Sequence, residues 1–159
     1  IVSRYADGVK WVNEEAQHIT IKFFGEIEED MVWNIKKSIE HLGAKHGPFR
    51  LTLKHIDAFP SVKKARVIVI TLENGVDNIN NIFNDIEQNI STLAIEKETR
   101  PFRAHITLGR RKVPAPLPDR AITELEKMSF RVDALVMFKS TLTSRGAIYT
   151  PIWEIKLKG

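Results

Sequence analysis

Residues 17–24 read QHITIKFF, and polar side chains alternate with apolar ones along this stretch. Such alternation is typical of a β-strand with one buried face, because successive side chains of a strand point to opposite sides of the sheet. His18, Thr20 and Lys22 therefore share one face in this prediction, together with Phe24. The opposite face is predicted to be buried and holds the apolar side chains Ile19, Ile21 and Phe23. The stretch thus places an imidazole and a hydroxyl on the same polar face of a strand.

The triplet His-Ile-Thr returns at residues 105–107, within the stretch FRAHITLGRR. This stretch also predicts a strand, on which His105 and Thr107 share one face. Each strand then presents an imidazole and a hydroxyl about 7 Å apart, as estimated from the rise of two residues along a strand. If the two strands are neighbours, two imidazoles and two hydroxyls converge on one cleft.

This set of groups suits the cleavage of a phosphodiester bond without a metal. A neutral histidine can take a proton from water, and a protonated one can give a proton to a leaving oxygen, both near neutral pH. The hydroxyls of Thr20 and Thr107 can donate hydrogen bonds to non-bridging phosphate oxygens, whose charge must be stabilised in the transition state. Arg110 and Arg111 follow directly and would add charge-assisted hydrogen bonds. The spacing is the same in both triplets, so it does not say which histidine is the acid.

Other interpretations of the histidines are weaker. A single His-x-Thr on a strand is most often structural, but a pair with matching apolar partners is much less frequent by chance. A metal site is the main rival; against it, no carboxylate stands at ligand spacing beside either histidine, and no His-Glu-x-x-His helix occurs. The chain has no cysteine, which excludes thiolate ligands, and no Gly-x-Ser-x-Gly motif indicates a serine hydrolase. No metal and no other cofactor are expected.

Short runs rich in Ile, Val, Thr and Phe predict the strands of the fold. They lie at residues 17–24, 49–56, 65–72, 103–109, 131–139 and 148–157. Apolar residues spaced three and four apart predict helices, which lie at residues 28–45, 76–93 and 119–128. Because strands and helices do not alternate regularly, the pattern favours an α+β fold with antiparallel sheets over a doubly wound parallel sheet.

The composition indicates one folded domain with a mildly basic surface. The chain has 159 residues, of which 43% are hydrophobic, and a net charge of +4. Basic residues cluster in SVKKAR, ETRPFR and GRRK, which would fit a phosphate-rich partner, although ordinary solvated charges explain them equally well. No apolar run is long enough to cross a bilayer. Together with the absence of cysteine, this predicts a cytoplasmic protein that does not insert into a membrane.

Four stretches of the sequence together resemble the 2H phosphoesterase superfamily. They are HITIKFFGEI, DAFPSVKKARVI, FRAHITLGR and FKSTLTSRGAIYTPIWEIKL. Within the superfamily the chain resembles the RNA 2′,3′-cyclic phosphodiesterases, also named 2′-5′ RNA ligases, whose defining feature is the pair of His-x-Thr motifs. The resemblance implies one domain over residues 1–159. Its fold would be bilobal and α+β, with two pseudo-symmetric antiparallel sheets, helices packed outside them and a central cleft.

The resemblance also implies an activity and assigns roles to residues. The activity is hydrolysis of a terminal RNA 2′,3′-cyclic phosphate to a 2′-phosphate without a metal, and the reverse reaction joins RNA ends through a 2′-5′ bond. His18 would be the proton donor to the leaving 3′ oxygen, and His105 the proton acceptor that activates water. Thr20 and Thr107 would hold the phosphate oxygens, and Arg110 would contact phosphate.

Further expectations concern binding, partners and chain length. Lys22 is a substrate-binding candidate on strand parity alone. The implied partners are RNA ends with a cyclic phosphate or a 2′-5′ linkage, such as tRNA fragments, and the protein is expected to act as a monomer. Ala104 and Gly109 stand where the family frequently has proline and alanine. The family begins with a strand and a helix, and residues 1–7 resemble only the end of that helix, so we expect a further segment of roughly 17 residues before them.

Two other functions remain open from the sequence. One is a module that binds nucleotides or RNA ends without turning them over. The other is a 2H phosphodiesterase that acts on a different nucleotide, such as a small cyclic phosphate, which the triplets alone do not distinguish from RNA.

Overall fold

The computed structural model describes residues 6–122, 125–144 and 146–159. Its strands are β1 (Val9–Trp11), β2 (Phe49–Phe59), β3 (Ala65–Leu72), β4 (His105–Ala115), β5 (Ser129–Val132), β6 (Ala134–Thr143) and β7 (Gly146–Lys156). Its α-helices are α1 (Glu29–Ile39), α2 (Leu42–Lys45) and α3 (Val76–Ile90). Among these residues the strands form a five-stranded antiparallel sheet in the order β1–β4–β3–β2–β5 and a two-stranded antiparallel sheet of β6 and β7. The predicted α+β fold with two antiparallel sheets is confirmed.

The helices cover the two-stranded sheet through an apolar core. On α3, buried isoleucines recur at spacings of three and four, as in Ile79, Ile82 and Ile86, which gives the helix one apolar face. Ile82 and Ile86 pack together with α1, Leu135 of β6 and Trp153 of β7, whereas Ile79 packs against the larger sheet. A second core lies against β2 and β3 of the larger sheet; its members are Ala6, Ile56, Ala58, Ala65, Ile68, Leu117 and Ala121. No α-helix in the described ranges is long and apolar enough to span a membrane.

The predicted strand over residues 17–24 is wrong. Only Ile19 pairs, in a single antiparallel bridge with Ile106 of β4. β1 runs along the same edge of β4, since β3 occupies the other edge. The segment after β1 therefore leaves the edge of β4 as a loop, which includes a 3₁₀ turn at Glu14–Ala16, and returns to it at Ile19.

The side-chain alternation predicted for residues 17–24 also ends early. Phe23, which was predicted to be buried, is 75% exposed. Phe24, predicted for the polar face, packs instead against the core of α1 and β6. Without a continuous ladder of backbone hydrogen bonds, nothing holds these residues to the two-residue period of a strand.

The helix predicted over residues 119–128 is also wrong in its described part, because only Asp119–Ala121 form a 3₁₀ turn and residues 125–128 are not helical. Residues 123–124 lie outside the described ranges. The backbone N–H of Leu125 donates a hydrogen bond to the carbonyl oxygen of Lys54, at 3.0 Å, so tertiary pairing to β2 replaces the helical bond.

The sequence did not predict β1, and the other helices and strands agree with the prediction apart from their bounds. The helix predicted over 28–45 is divided into α1 and α2, and the predicted strand 131–139 is divided into β5 and β6, which belong to different sheets.

Candidate active site

His18 lies at the end of the loop between β1 and the bridge at Ile19. Its Nδ1 is 2.7 Å from the carbonyl oxygen of Ala16, within the 3₁₀ turn. The ring packs edge-on against Tyr149 of β7, with 4.6 Å between ring centroids, and lies 6.3 Å from Phe138 of β6. The two-stranded sheet thus forms an aromatic wall beside His18.

His105 is the first residue of β4. Its Nδ1 is 2.6 Å from the carbonyl oxygen of Arg103. The ring packs edge-on against Phe59 at the end of β2, with 5.0 Å between centroids, and the guanidinium of Arg103 lies 5.8 Å from the same phenyl ring. Like His18, His105 therefore packs edge-on against an aromatic ring and has its Nδ1 beside the backbone carbonyl two residues earlier.

These carbonyl contacts fix the tautomer of both imidazoles. A carbonyl oxygen only accepts hydrogen bonds, so in each histidine Nδ1 carries the proton and donates it. In the neutral ring, Nε2 is then left as a base; in the imidazolium, Nε2 carries a proton that can be given away. Either histidine can act as acid or base through Nε2, and the hydrogen bonds do not distinguish their roles.

The bridge between Ile19 and Ile106 relates the two triplets by a local two-fold axis. In an antiparallel pair, this rotation exchanges the two bridged residues and also their neighbours in sequence order. It therefore exchanges His18 with His105, and Thr20 with Thr107. If the pairing is continued by one residue on each side, each histidine stands opposite the threonine of the other triplet. Their Cα atoms would then be about 4.5 to 5.5 Å apart. This single contact places the backbones of the two triplets side by side.

A β-bulge at Leu108 brings Arg110 to the same face of the sheet. Thr107 pairs with Val69 of β3, and Arg110 pairs with Val67 of the same strand. Val67 and Val69 are two residues apart, whereas Thr107 and Arg110 are three apart, so β4 has one extra residue here. Residues two apart on a strand share a face, so Arg110 and Thr107 do as well. Without the bulge, three residues of separation would turn Arg110 to the opposite face. The arginine is exposed, and no described carboxylate pairs with it.

Lys22 is engaged elsewhere. Its Nζ lies 2.6 Å from Glu87 Oε1 on α3, and each of the two side chains is only 6% exposed. The same Nζ donates to the carbonyl oxygen of Glu96 at 3.1 Å, and Glu87 Oε2 accepts from the N–H of Glu98 at 3.1 Å. That Lys22 contacts phosphate stays a prediction, and such a contact would require this ion pair to open.

The sequence reasoning missed the aromatic and polar groups that surround the triplets. Phe59, Phe138 and Tyr149 are distant from the histidines in sequence, and no local pattern identifies them. His55 of β2 is a further case: its Nδ1 is 3.3 Å from Oγ1 of Thr71, which is the cross-strand partner of His105. Pairing across three strands places these residues together, and that pairing is only visible once the sheet order is known.

A cavity of about 1440 Å³ includes His18, Thr20, Phe138 and Tyr149 in its wall. Its interior is mostly bounded by apolar side chains of α1, α3 and β6. His105 is not part of this wall, so the cavity covers only the His18 side of the group. Among the described residues, no three His, Cys, Asp or Glu side chains form a group that could hold a metal ion.

Comparisons with known proteins agree in the family they indicate. A family model described as the 2′-5′ RNA ligase superfamily matches residues 3–143. The RNA 2′,3′-cyclic phosphodiesterase of Methanocaldococcus jannaschii is 36% identical over 152 residues, which cover 92% of this chain and 84% of that protein. The protein of the same name from Aquifex aeolicus is 30% identical over 155 residues, covering 94% and 82%. The crystal structure of a Thermus thermophilus protein, TT0787, superposes with a TM-score of 0.86 at 26% identity, covering 99% of this chain and 87% of that one.

Proposed function

This chain belongs to the 2′-5′ RNA ligase superfamily, and we propose on that basis that His18 and His105 hydrolyse RNA 2′,3′-cyclic phosphate ends by general acid–base catalysis. Hydrolysis of such ends is the activity for which relatives with 36% and 30% identity over most of this chain are named. The observation that supports the residue assignment is the pair of Nδ1 hydrogen bonds to the carbonyl oxygens of Ala16 and Arg103. They leave both Nε2 atoms available for proton transfer.

We propose that the reaction proceeds by in-line attack of water on phosphorus. His105 Nε2 takes a proton from water as its oxygen bonds to phosphorus, and the bond from phosphorus to the 3′ oxygen breaks. His18 gives its Nε2 proton to the 3′ oxygen, so the product is a 2′-phosphate with a free 3′ hydroxyl. The donor and acceptor roles come from the family resemblance, because the two-fold relation makes the histidines geometrically equivalent.

The remaining groups of the site stabilise charge on the phosphate. Where the pairing of Ile19 with Ile106 is continued by one residue on each side, Thr20 stands opposite His105 and Thr107 opposite His18, so each proton-transfer group has a hydroxyl from the other triplet beside it. These hydroxyls donate hydrogen bonds to the non-bridging oxygens, and the Arg110 guanidinium adds charge-assisted ones. None of these steps uses a metal ion.

A product assay with variants tests this mechanism. His18→Ala and His105→Ala should each lower the rate of hydrolysis of a 2′,3′-cyclic-phosphate RNA end by at least about 10²-fold, the usual contribution of a general acid or base. The wild-type product should carry its phosphate on the 2′ oxygen, and the rate should persist in EDTA. His41→Ala, an exposed histidine before α2, is the matched control and should keep full activity. Full activity in both active-site variants would overturn the assignment, and nucleotide binding without turnover between pH 5 and pH 8 would indicate a binding module.

We further propose that the protein acts as a monomer in the cytoplasm on RNA ends such as tRNA fragments and 2′-5′ linked ends. The absence of cysteine supports a reducing compartment. Light scattering during gel filtration tests the monomer, and release of a 2′-phosphate from tRNA halves tests the substrate.

A further inference from the structure

A second cavity, of about 710 Å³, lies at the end of β4 far from the bridge. Its volume is within the range of small-molecule sites. The charged residues that line it are Asp7, Lys10, Arg66, Arg110, Arg111 and Lys112. Five basic side chains and one carboxylate therefore surround this space. Of these residues, the mechanism proposed above uses only Arg110.

Two of the basic side chains lie opposite each other on neighbouring strands. Lys10 of β1 is the direct cross-strand partner of Arg110 of β4. Like charges at directly opposite positions of an antiparallel pair destabilise it. Lys10, Arg66, Arg110 and Lys112 are exposed, and none of them forms an ion pair with a carboxylate in the described ranges. An anion bound between them would relieve this repulsion.

Arg111 adds a positive charge from beneath the cavity. It is buried, with 7% of its surface exposed, and its Nη1 donates hydrogen bonds to the carbonyl oxygens of Ala115 and Pro116. Its Nε is buried without a hydrogen-bond partner among the described residues. A guanidinium is a permanent positive charge, and Asp7 is the one carboxylate among the described residues that line the cavity, so the five basic groups keep its potential positive.

The cavity continues the catalytic face of the sheet. Arg110 lies about 7 Å beyond Thr107 along β4. This estimate follows from their partners on β3, since Val67 and Val69 are two residues apart. Lys10 lies one strand further out, about 5 Å from Arg110 between Cα atoms. If Thr107 holds the reacting phosphate, as proposed above, an anion beside Arg110 and Lys10 would lie at least about 7 Å from it. This distance is comparable to that between neighbouring phosphates of a single RNA strand.

We propose that Lys10, Arg66 and Lys112 bind the phosphate on the 5′ side of the terminal nucleoside. A cyclic phosphate ends the RNA, so the 5′ phosphate is its only neighbour along the strand. The proposal rests on the proposed function, and it makes this cavity a subsite that distinguishes RNA ends from free cyclic nucleosides.

Two matched substrates isolate this subsite. Adenosine 2′,3′-cyclic phosphate and the same compound with a 5′-phosphate differ only in the group that the cavity would bind. The wild-type protein should prefer the 5′-phosphorylated substrate by roughly tenfold in kcat/KM, as expected for charge-assisted hydrogen bonds. In the variant Lys10→Ala/Arg66→Ala this preference should fall below about twofold, whereas Lys37→Ala, an exposed lysine of α1, should keep it.

A salt series on the wild-type protein provides a test that needs no variant. Binding of one additional phosphate should lower the preference about threefold between 50 mM and 200 mM salt, from the slope for single strands. Equal kcat/KM for both substrates, a preference independent of salt, or an unchanged preference in a folded double variant would overturn the proposal. No hydrolysis of either substrate, nor of an RNA end that carries a 2′,3′-cyclic phosphate, would refute the proposed function itself.

Discussion

The ion pair between Lys22 and Glu87 makes a quantitative prediction, because both partners are buried. The variant Lys22→Met keeps an apolar side chain of similar length and removes the ammonium group. Glu87 Oε1 then has no partner, and the N–H of Glu98 is the only donor left to the carboxylate among the described residues. Removing one partner of a buried ion pair typically costs about 3 to 5 kcal/mol. For a chain of this size we expect the midpoint of thermal unfolding to fall by roughly 10 °C.

Urea unfolding followed by circular dichroism measures this cost. The matched control is Lys45→Met, which removes the ammonium partner of Asp85 from an ion pair whose lysine is 56% exposed. Exposed ion pairs contribute at most about 1 kcal/mol, so this variant should remain close to the wild type. The double variant Lys22→Met/Glu87→Leu should recover most of the lost stability, since it removes both buried charges. A loss below about 1 kcal/mol in Lys22→Met would refute the reasoning.

The same variants separate a structural role of Lys22 from contact with phosphate. Lys22 ties the segment that carries His18 and Thr20 to α3 and to the loop that follows it. If this is its role, the double variant should recover kcat together with stability. If Lys22 binds phosphate, Glu87→Gln should keep activity because it frees the ammonium group, and the double variant should remain inactive although it is stable.

Two further predictions concern parts of the fold away from the histidines. Burial opposes ionisation of Asp85, but hydrogen bonds from Lys45 and His46 outweigh it and hold the pKa of this carboxyl below its ordinary value of 3.8. Its contribution to stability is therefore complete above that value and is lost as the pH falls through the lowered pKa. In urea unfolding, Asp85→Asn should be less stable than the wild type by about 1 kcal/mol at pH 7, and the difference should disappear once the pH is below the lowered pKa. At Gly109, an added Cβ would lie 2.5 Å from Cγ1 of Val9 and 3.1 Å from the carbonyl oxygen of Lys10; Gly109→Ala should displace β1 and lower the thermal midpoint, and an unchanged midpoint would contradict this packing.

Elements with strong local patterns are correctly predicted from the sequence. The isoleucines of α3 and the apolar run of β3 define their elements without help from the rest of the chain, because one face of each must be buried. Residues 17–24 show the limit of this approach. Their alternation is as regular as that of a strand, but the chain forms only one bridge there and is held mainly by Lys22 and the core. Alternation indicates which side chains favour burial, but it does not indicate whether the edge of another strand is available for pairing.

The sequence by itself determined the residue types of the candidate site. It supplied two His-x-Thr triplets, whose imidazoles and hydroxyls suit acid–base cleavage of a phosphodiester, and the family resemblance from which their proposed roles come. Only the tertiary structure decided how they meet, because a single antiparallel bridge between Ile19 and Ile106 imposes the two-fold relation. It also decided that Arg110 joins the catalytic face, since a bulge shifts the register of β4 by one residue. Both are consequences of pairing between distant segments, and such pairing depends on the order of the strands and not on any local stretch of sequence.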